Sequence, residues 1–240
     1  MRFFCKMVNL GRLLRNKFVN IEKLDLSGIK LSLNDIKYFI SFDLNKLQIL
    51  DLSSNSIGIQ GALNFSKGQF SCLESLNLNY NYISDKGLEF ICNGFFSKLN
   101  YLYLNKNNIS FEGIKHLVKA EFTNNLIILS LDENKKIGDS GIRIIKEHKC
   151  WSKLNILYLN KTGLTDIALR YIGESSMPKL RKLNIAGNKF TDDGKPIING
   201  LRMNHIRVNY KNIITIENNK EDDQFELGYY FIDGTHKQFE

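Results

Sequence analysis

The sequence lacks the features that would mark it as a membrane protein, a zinc protein or a nucleotide-binding protein. No stretch approaches the roughly 18 consecutive apolar residues that a membrane-spanning helix needs. The four cysteines show no Cys-x-x-Cys spacing and no clustered histidine partners, which argues against zinc. Glycine-rich phosphate-binding loops are absent. The four histidines occupy unrelated places, so no convergent catalytic or metal site is predicted.

What the sequence does contain is a repeat. Leu47, Leu73 and Leu99 open three copies that lie 26 residues apart. A fixed period in the range of roughly 20 to 50 residues is the signature of a solenoid, in which each unit buries its apolar face only by stacking on its neighbours. Copies one to seven open, in chain order, at Ile21, Leu47, Leu73, Leu99, Leu126, Leu154 and Leu180.

The first half of each copy predicts a short strand followed by a turn. Counted from the opening residue, the apolar residues of copy three stand at positions 1, 4, 6 and 11, and the alternation of positions 4 and 6 is that of a strand with one buried side. An asparagine at position 9 is expected to bond the backbone of its own turn and of the neighbouring copy. It is present at Asn55, Asn81, Asn107, Asn134 and Asn188, and it is missing at Ile29 and Thr162, where a looser turn is predicted.

The second half of each copy predicts a helix. Small polar residues suited to helix N-caps precede an apolar pattern with an i, i+3 step, as at Leu88 and Ile91. Repeated aspartates suggest either a string of cation sites or, more simply, helix caps: Asp85, Asp139, Asp166 and Asp192. A large apolar residue three places before the next opening residue is expected to fill the gap between helix and strand layers: Leu44, Phe70, Phe96, Trp151 and Met177.

The pattern Leu-x-x-Leu-x-Leu-x-x-Asn-x-Ile-x-Asp-x-Gly-Leu-x-x-Ile resembles the leucine-rich repeat family over about residues 21 to 200. The unit of nearly 28 residues with a full helix is similar to the ribonuclease-inhibitor-like class. The resemblance implies an α/β fold: a right-handed solenoid in a horseshoe arc, with a parallel β-sheet on the concave side, helices on the convex side, and a protein-binding role. Departures from the pattern are Ile29, Thr162, one extra residue after Asn134, and Ala168 in place of glycine.

Three segments are predicted. Residues 1–20 alternate basic and apolar residues and are expected to form an N-terminal capping helix, with a membrane-surface or targeting helix as the alternative. Residues 21–202 hold the seven repeats. Residues 203–240 are expected to hold a degenerate eighth strand, opened by Met203 and lying within residues 206–213, and then a C-terminal cap or tail with an Asp-Gly hairpin.

The candidate site lies on the strand positions that alternate with the buried ones, because these must point to the concave surface. In the middle copies they bring together aromatic and apolar residues that water should otherwise wet. Exposed Tyr and Ile of this kind mark interfaces, although cross-strand rings can also lie flat and stiffen the sheet. The predicted protein-binding residues are Tyr80, Tyr101, Tyr103, Ile128, Asp132, Ile156 and Tyr158.

The resulting functional hypothesis is a non-enzymatic scaffold that binds an unidentified protein partner, without a cofactor and as a monomer. The formal net charge is +8, but the Lys and Arg residues are scattered, so no nucleic-acid partner is expected. A cytoplasmic location is predicted, with delivery into a host cytosol as a variant. Two alternatives stay open: a translocated effector of an intracellular bacterium, with the acidic C-terminal stretch as its export signal, and a GTPase-activating regulator.

Overall fold

The computed structural model describes residues 2–4, 21–203 and 206–210. These residues hold nine strands, seven α-helices and the two 3₁₀ turns Glu121–Asn125 and Asp192–Gly194. The strands are β1 (Arg2–Phe4), β2 (Lys23–Asp25), β3 (Ile49–Asp51), β4 (Ser75–Asn77), β5 (Tyr101–Tyr103), β6 (Ile128–Ser130), β7 (Ile156–Tyr158), β8 (Lys182–Asn184) and β9 (Arg207–Asn209). The helices are α1 (Leu33–Phe39), α2 (Gly58–Phe65), α3 (Ser84–Cys92), α4 (Phe111–Leu117), α5 (Gly138–Glu147), α6 (Asp166–Gly173) and α7 (Lys195–Met203).

One parallel sheet takes all the described strands in chain order. Strands β2 to β8 occur once in each of the seven copies, and equal positions pair, as Leu50 with Leu76 and Leu76 with Leu102. Successive helices contact one another in the same order. Because side chains alternate along a strand, position 4 faces the helices and positions 3 and 5 face away from them. The predicted α/β repeat solenoid is therefore confirmed.

The core is one continuous cluster from Ile21 to Val208, as expected for units that share a single interior. The large apolar residues before each opening residue are buried between the layers. The rings of Phe65 and Phe70 lie 4.7 Å apart, and those of Phe70 and Phe96 lie 5.6 Å apart. Trp151 has no exposed surface, and its indole Nε1 donates to the Ile145 carbonyl at 3.1 Å. This column links consecutive copies on the side where helices lead back to strands.

The asparagine at position 9 bonds each turn to the preceding copy. In Asn81, Nδ2 donates to the Leu52 carbonyl of copy two at 2.8 Å and to the Leu78 carbonyl of its own turn at 3.1 Å. Its Oδ1 accepts the backbone N–H of Asn55 at 3.0 Å and that of Ile57 at 3.3 Å. The bonds from Nδ2 to the preceding copy, and from the preceding copy to Oδ1, recur at Asn55, Asn107, Asn134 and Asn188.

Copies five and six contain three of the departures from the repeat, and two of them, the extra residue and Thr162, lie beside each other. Thr162 takes the asparagine place, and its hydroxyl bonds the Leu159 carbonyl of its own turn at 2.7 Å and approaches Asn188 Oδ1 of the next copy at 3.5 Å, so it makes no bond to the preceding copy. The extra residue of copy five brings the Lys135 carbonyl to 2.5 Å from the point where a Cβ on Gly163 would stand. Gly163 also has a φ of +83°. Both the lack of space for a Cβ and this backbone conformation therefore require glycine at the position. The looser bonding predicted at Thr162 thus coincides with an insertion in the neighbouring copy.

A glycine near the start of α2, α3, α4 and α5 allows close packing on the isoleucine four residues earlier. A Cβ on Gly61, Gly87 or Gly141 would stand 2.5 Å from the Cγ2 of that isoleucine. Copy six has Leu164 at this place, and leucine has no branch at Cβ. Copy six is also the copy in which alanine, Ala168, stands in place of this glycine, because no branched methyl group opposes its Cβ.

The two ends of the repeat array differ in part from the expectations. Residues 2–4 form strand β1, which pairs with β2, so the helix predicted for residues 1–20 is wrong there; the pairing extends the sheet and satisfies the edge of β2. Residues 5–20 and 211–240 lie outside the described residues, and the predicted caps remain predictions. Strand β9 lies in the degenerate eighth copy, but Arg207 pairs with Lys182, which puts the opening position at residue 205 and not at Met203.

We expect Asn81→Ala to lower the free energy of unfolding by at least about 2 kcal/mol, because the buried N–H groups of Asn55 and Ile57 lose their acceptor. Thr162→Ala should cost roughly 1 kcal/mol, since the Leu159 carbonyl keeps its bond from Asn188. Urea unfolding of the full chain measures both variants. Equal losses would contradict the bonding role assigned to the asparagine turn.

We expect Gly87→Ala to destabilise the chain by about 1–3 kcal/mol, because the added Cβ overlaps Cγ2 of Ile83. Adding Ile83→Leu should recover part of this loss by removing the branched methyl group. The control is Gly200→Ala in α7, where a Cβ meets nothing within 4 Å and stability should rise by up to about 1 kcal/mol. A double-mutant cycle without coupling would refute the proposed contact between Gly87 and Ile83.

Candidate functional site

The candidate site is the open face of the sheet, defined as positions 3, 5 and 7 of each copy together with position 8 at its edge. The register places Tyr101, Ile128 and Ile156 side by side on β5, β6 and β7. Tyr103 and Tyr158 lie on either side of Ser130 in the same three strands. The sheet therefore brings together the strand residues that the sequence predicted to be neighbours.

The expectation that these residues are wetted by solvent is wrong for four of them. The exposed fractions are 2% for Tyr103, 5% for Ile128, 6% for Ile156 and 4% for Tyr158. Large side chains that stand side by side on neighbouring strands bury one another. The alternation of residues along a single strand does not predict this burial. Ser130 between the two tyrosines has no exposed surface, so the space above this short side chain is filled. Tyr101 and Asp132 are half-buried.

Tyr80 is the predicted site residue with the most exposed surface, at 43%, and it lies in the turn after β4. Position 8 has a positive φ in all seven copies, with glycine in the first and last copies and Tyr80 in the third. The Lys106 ammonium of the next copy lies 5.2 Å from the Tyr80 ring. The repeated turn therefore holds an aromatic ring and a cation together at the edge of the open face.

Sequence reasoning missed Tyr82, which is 59% exposed and also has a positive φ. Its backbone conformation is shared with Lys30, Ser56 and Asn108 at position 10 of other copies. Polar and small residues at that position in the other copies were the available signal that its side chain faces solvent. Tyr82 lies two residues past Tyr80, beyond the strand positions that define the open face.

A second row of hydrogen bonds runs along position 7 of the open face. Asn79 Oδ1 accepts the Asn105 N–H at 2.7 Å, and Asn105 Oδ1 accepts the Asp132 N–H at 2.8 Å. Asp132 then accepts the backbone N–H of Asn160 at 2.7 Å and its Nδ2 at 2.9 Å. The buried Nδ2 of Asn79 has no hydrogen-bond partner among the described residues. Because Asp132 carries a carboxylate, it accepts a hydrogen bond from the side-chain amide of Asn160. Another asparagine at this position would bring a second donor group.

Burial raises the pKa of Asp132 to about 6, against the opposing effect of its hydrogen bonds from Asn160. The nearby charges contribute less: Glu133 raises this pKa and Lys161 lowers it. Burial also raises the pKa of Asp51, at position 5 of copy two, while bonds from Ser53 and Asn77 oppose the shift. The open face therefore carries carboxyl groups whose charge is disfavoured by partial desolvation.

The sequence suggested that the repeated aspartates cap the helices at whose start they stand, and this is wrong: the N-cap residues Ile83 of α3 and Ile137 of α5 form no side-chain cap bond. Three of the aspartates instead bond the next copy. Asp85 Oδ1 accepts the backbone N–H of Ser110 at 2.7 Å and that of Gly113 at 3.0 Å. Asp139 accepts the N–H and hydroxyl of Thr165, and Asp166 accepts the N–H of Thr191. Each carboxylate near the start of one helix therefore bonds the N-cap residue of the next. Across residues 2–4, 21–203 and 206–210, no cluster of His, Cys, Asp and Glu has the arrangement of a metal site.

The thiols in the described part of the chain show no sign of activation. Cys72, Cys92 and Cys150 form no disulfide. Burial raises the pKa of the Cys92 thiol, and it raises that of Cys150 to about 11, so both remain protonated and weakly nucleophilic at neutral pH. Among the helices for which the structure gives bounds, none has the length and apolar character needed to cross a bilayer.

We expect the Asp132 carboxyl to titrate near pH 6 in the folded chain, against an ordinary pKa of 3.8. Because the folded-state pKa is the higher one, its contribution to stability is fully present below about pH 4 and is lost as the pH rises through about 6. Carbon NMR of the carboxyl group measures the pKa directly. Asp132→Asn should remove this part of the pH dependence of urea unfolding, and an unchanged pH profile would contradict the assignment.

Comparison with known proteins gives a family match in three parts of the chain. The model described as a leucine-rich repeat matches residues 43–66, 71–92 and 176–194. No curated protein matches the sequence. An internalin (InlF) from Listeria monocytogenes is similar in structure, with 20% identity, a TM-score of 0.48, and coverage of 80% of this chain and 53% of the internalin chain. This chain thus spans about half of the internalin's length.

A second similar structure is the complex of Rad7 and Elc1 from yeast, with 16% identity, a TM-score of 0.36, and coverage of 77% of this chain and 68% of the other. Both TM-scores are below 0.5, so the assignment depends on the repeats themselves. The matched segments fall in copies that share one pattern of strand, turn and helix with the other copies. Copies two, three and seven, which contain the matched segments, are therefore leucine-rich repeats of the type that this model describes.

Proposed function

We propose that the chain is a non-enzymatic scaffold that binds a protein partner through the open face of its sheet, the concave face of the predicted arc. The observation that carries this proposal is the in-register row of aromatic and apolar side chains on β5, β6 and β7. Rows of this kind on a rigid sheet offer large contact area at little cost in side-chain entropy. The ribonuclease-inhibitor-like class predicted for the repeats is part of the same proposal.

The burial values divide the predicted residues into two roles. Tyr80, Tyr101 and Asp132 retain exposed surface and would make the first contacts with a partner. The four buried residues, Tyr103, Ile128, Ile156 and Tyr158, would form the floor beneath them and hold their positions. Lys106 beside Tyr80 and Lys182 beside Tyr158 would add charge at the two ends of this surface.

The proposal places the chain in the cytoplasm, where Cys72, Cys92 and Cys150 would remain free thiols. The two alternatives gain no support from the described residues. Among these residues, no polar side chain on a repeat edge stands out as a contact for a GTPase. The acidic stretch suggested as an export signal falls within residues 211–240, outside the described part.

The test is a pair of substitutions with a matched control. Tyr80→Ala combined with Tyr101→Ala should weaken binding of a captured partner by at least about tenfold, because central tyrosines in interfaces often contribute more than about 2 kcal/mol. Titration calorimetry of the full chain with the purified partner measures the change in Kd.

Tyr82→Ala is the control for this experiment. It also removes an exposed tyrosine from a residue of positive φ, but outside the open face. Binding should stay within about twofold of the unmodified chain. If the control weakens binding as much as the double substitution, or if neither does, the open face is not the binding surface.

A further inference from the structure

A groove lies between the sixth and seventh copies, on the side where helices lead back to strands and away from the open face. It encloses about 330 Å³. Its apolar walls come from the end of α6, the loop before β8, α7, and the residue before β9. The apolar lining residues are Ile172, Met177, Leu180, Leu201 and Ile206, and polar groups are supplied by Ser175, Ser176 and Arg181.

The groove exists because the column of large apolar residues ends there. In most earlier copies this column is filled by a large apolar residue five places before the strand, such as Trp151 before β7 and Met177 before β8. Before β6 the place is taken by the buried Thr123. The corresponding residue before β9 is Arg202, near the end of α7. Its guanidinium lies 5.4 Å from the Tyr210 ring, and its Nη2 donates to the Val208 carbonyl. The column therefore lacks its apolar member before β9.

The rim of the groove is basic. Arg181 lines it, and Lys179 lies between two lining residues in the chain. Arg181 is held along the wall because its Nη1 donates to the Leu180 carbonyl at 3.0 Å. Within the described residues, neither Lys179 nor Arg181 pairs with a carboxylate. Glu174, the only acid between residues 173 and 181, is paired with Lys146. Ser175 and Ser176 add hydroxyl groups to the same rim.

We propose that this groove binds an acidic peptide segment of a protein partner, with one large apolar side chain inserted and carboxylates placed against Arg181 and Lys179. An apolar cavity of about 150 Å³ already accommodates benzene, so the groove has room for a phenyl or indole ring. A guanidinium on the rim offers five N–H donors in a geometry that fits carboxylates. This site is separate from the open face and does not depend on the function proposed for it.

The probe is a fluorescein-labelled nine-residue peptide of Asp, Glu and Ser with one central Phe, and its partner probe has Ala in place of Phe. Fluorescence anisotropy with the full chain should show saturable binding of the Phe peptide and at least about tenfold weaker binding of the Ala peptide, a difference of about 1.4 kcal/mol. Equal binding of the two peptides, or no saturable binding of the Phe peptide, would overturn the proposal.

Gly173→Leu is designed to fill the groove. A Cβ at Gly173 would lie 3.9 Å from Leu201 Cδ2, an ordinary contact, so the larger side chain extends over the lining without backbone strain. Gly200→Leu is the matched control, because Gly200 also lies near the C-terminal end of a helix, α7, and a Cβ there meets nothing within 4 Å. We expect binding of the Phe peptide to fall at least about tenfold in the first variant and to stay within about twofold in the second.

Arg181→Glu tests the rim on an exposed residue and keeps the test decisive if Gly173→Leu unfolds the chain. Its control is Lys67→Glu, an exposed lysine between α2 and β4 with the same reversal of charge. The first should weaken binding at least about tenfold and the second by less than about twofold. Similar effects of both would show general attraction to a basic protein and would overturn the proposal.

Two further measurements distinguish peptide binding in the groove from binding at the open face and from self-association. Tyr80→Ala with Tyr101→Ala should leave peptide binding unchanged, so failure of either proposed surface is visible independently of the other. Sedimentation of the full chain tests whether a second copy occupies the groove. Self-association that Gly173→Leu abolishes and that the Phe peptide does not displace would overturn the proposal.

Discussion

The structure depends on a single constraint, which is that the turn after each strand is buried between two copies and its backbone must still form hydrogen bonds. A buried N–H or carbonyl without a partner costs free energy comparable to a lost hydrogen bond. The asparagine at position 9 meets this need with one planar group, as Asn81 donates to the Leu52 carbonyl and accepts the Asn55 N–H. Copies can therefore stack at a fixed step, and the parallel register of the sheet follows from that step.

The same constraint explains why the irregularities occur together. Thr162 has one hydroxyl and no second donor, so copy six forms fewer bonds toward copy five than its neighbours do. The insertion after Asn134 brings the Lys135 carbonyl against Gly163, next to that weaker connection. An extra residue is tolerated more easily where the regular bonding between copies is already incomplete. The aspartate bonds beside it continue, since Asp139 still bonds Thr165 of the next copy.

The sequence was sufficient to predict the structural features that recur at the same position from copy to copy. The strands, the asparagine turns and the buried column follow from residues such as Leu76, Asn81 and Phe96, because each repeats with the period. The burial of Tyr103 and Ile128 could not be predicted in this way, because it depends on which side chains stand beside them across β5, β6 and β7. Strand β1 was also missed, since three residues are too few to establish a period. The link between Leu164 and Ala168 was present in the sequence and became clear only with the Cγ2 contact at Ile83.

A repeat array presents two different kinds of surface. Along the open face, regular stacking places like positions side by side, and neighbours such as Ile128 and Ile156 hide one another, so accessible surface is left mainly to Tyr80, Tyr101 and Asp132. Where the repetition stops, a side chain that each copy supplies to the next is missing. At the seventh copy the missing group is the apolar residue replaced by Arg202, and a groove lined by largely buried apolar residues remains beside Arg181. The end of a solenoid can therefore hold an apolar groove where a column residue is missing, and specificity can arise there without any change to the repeats.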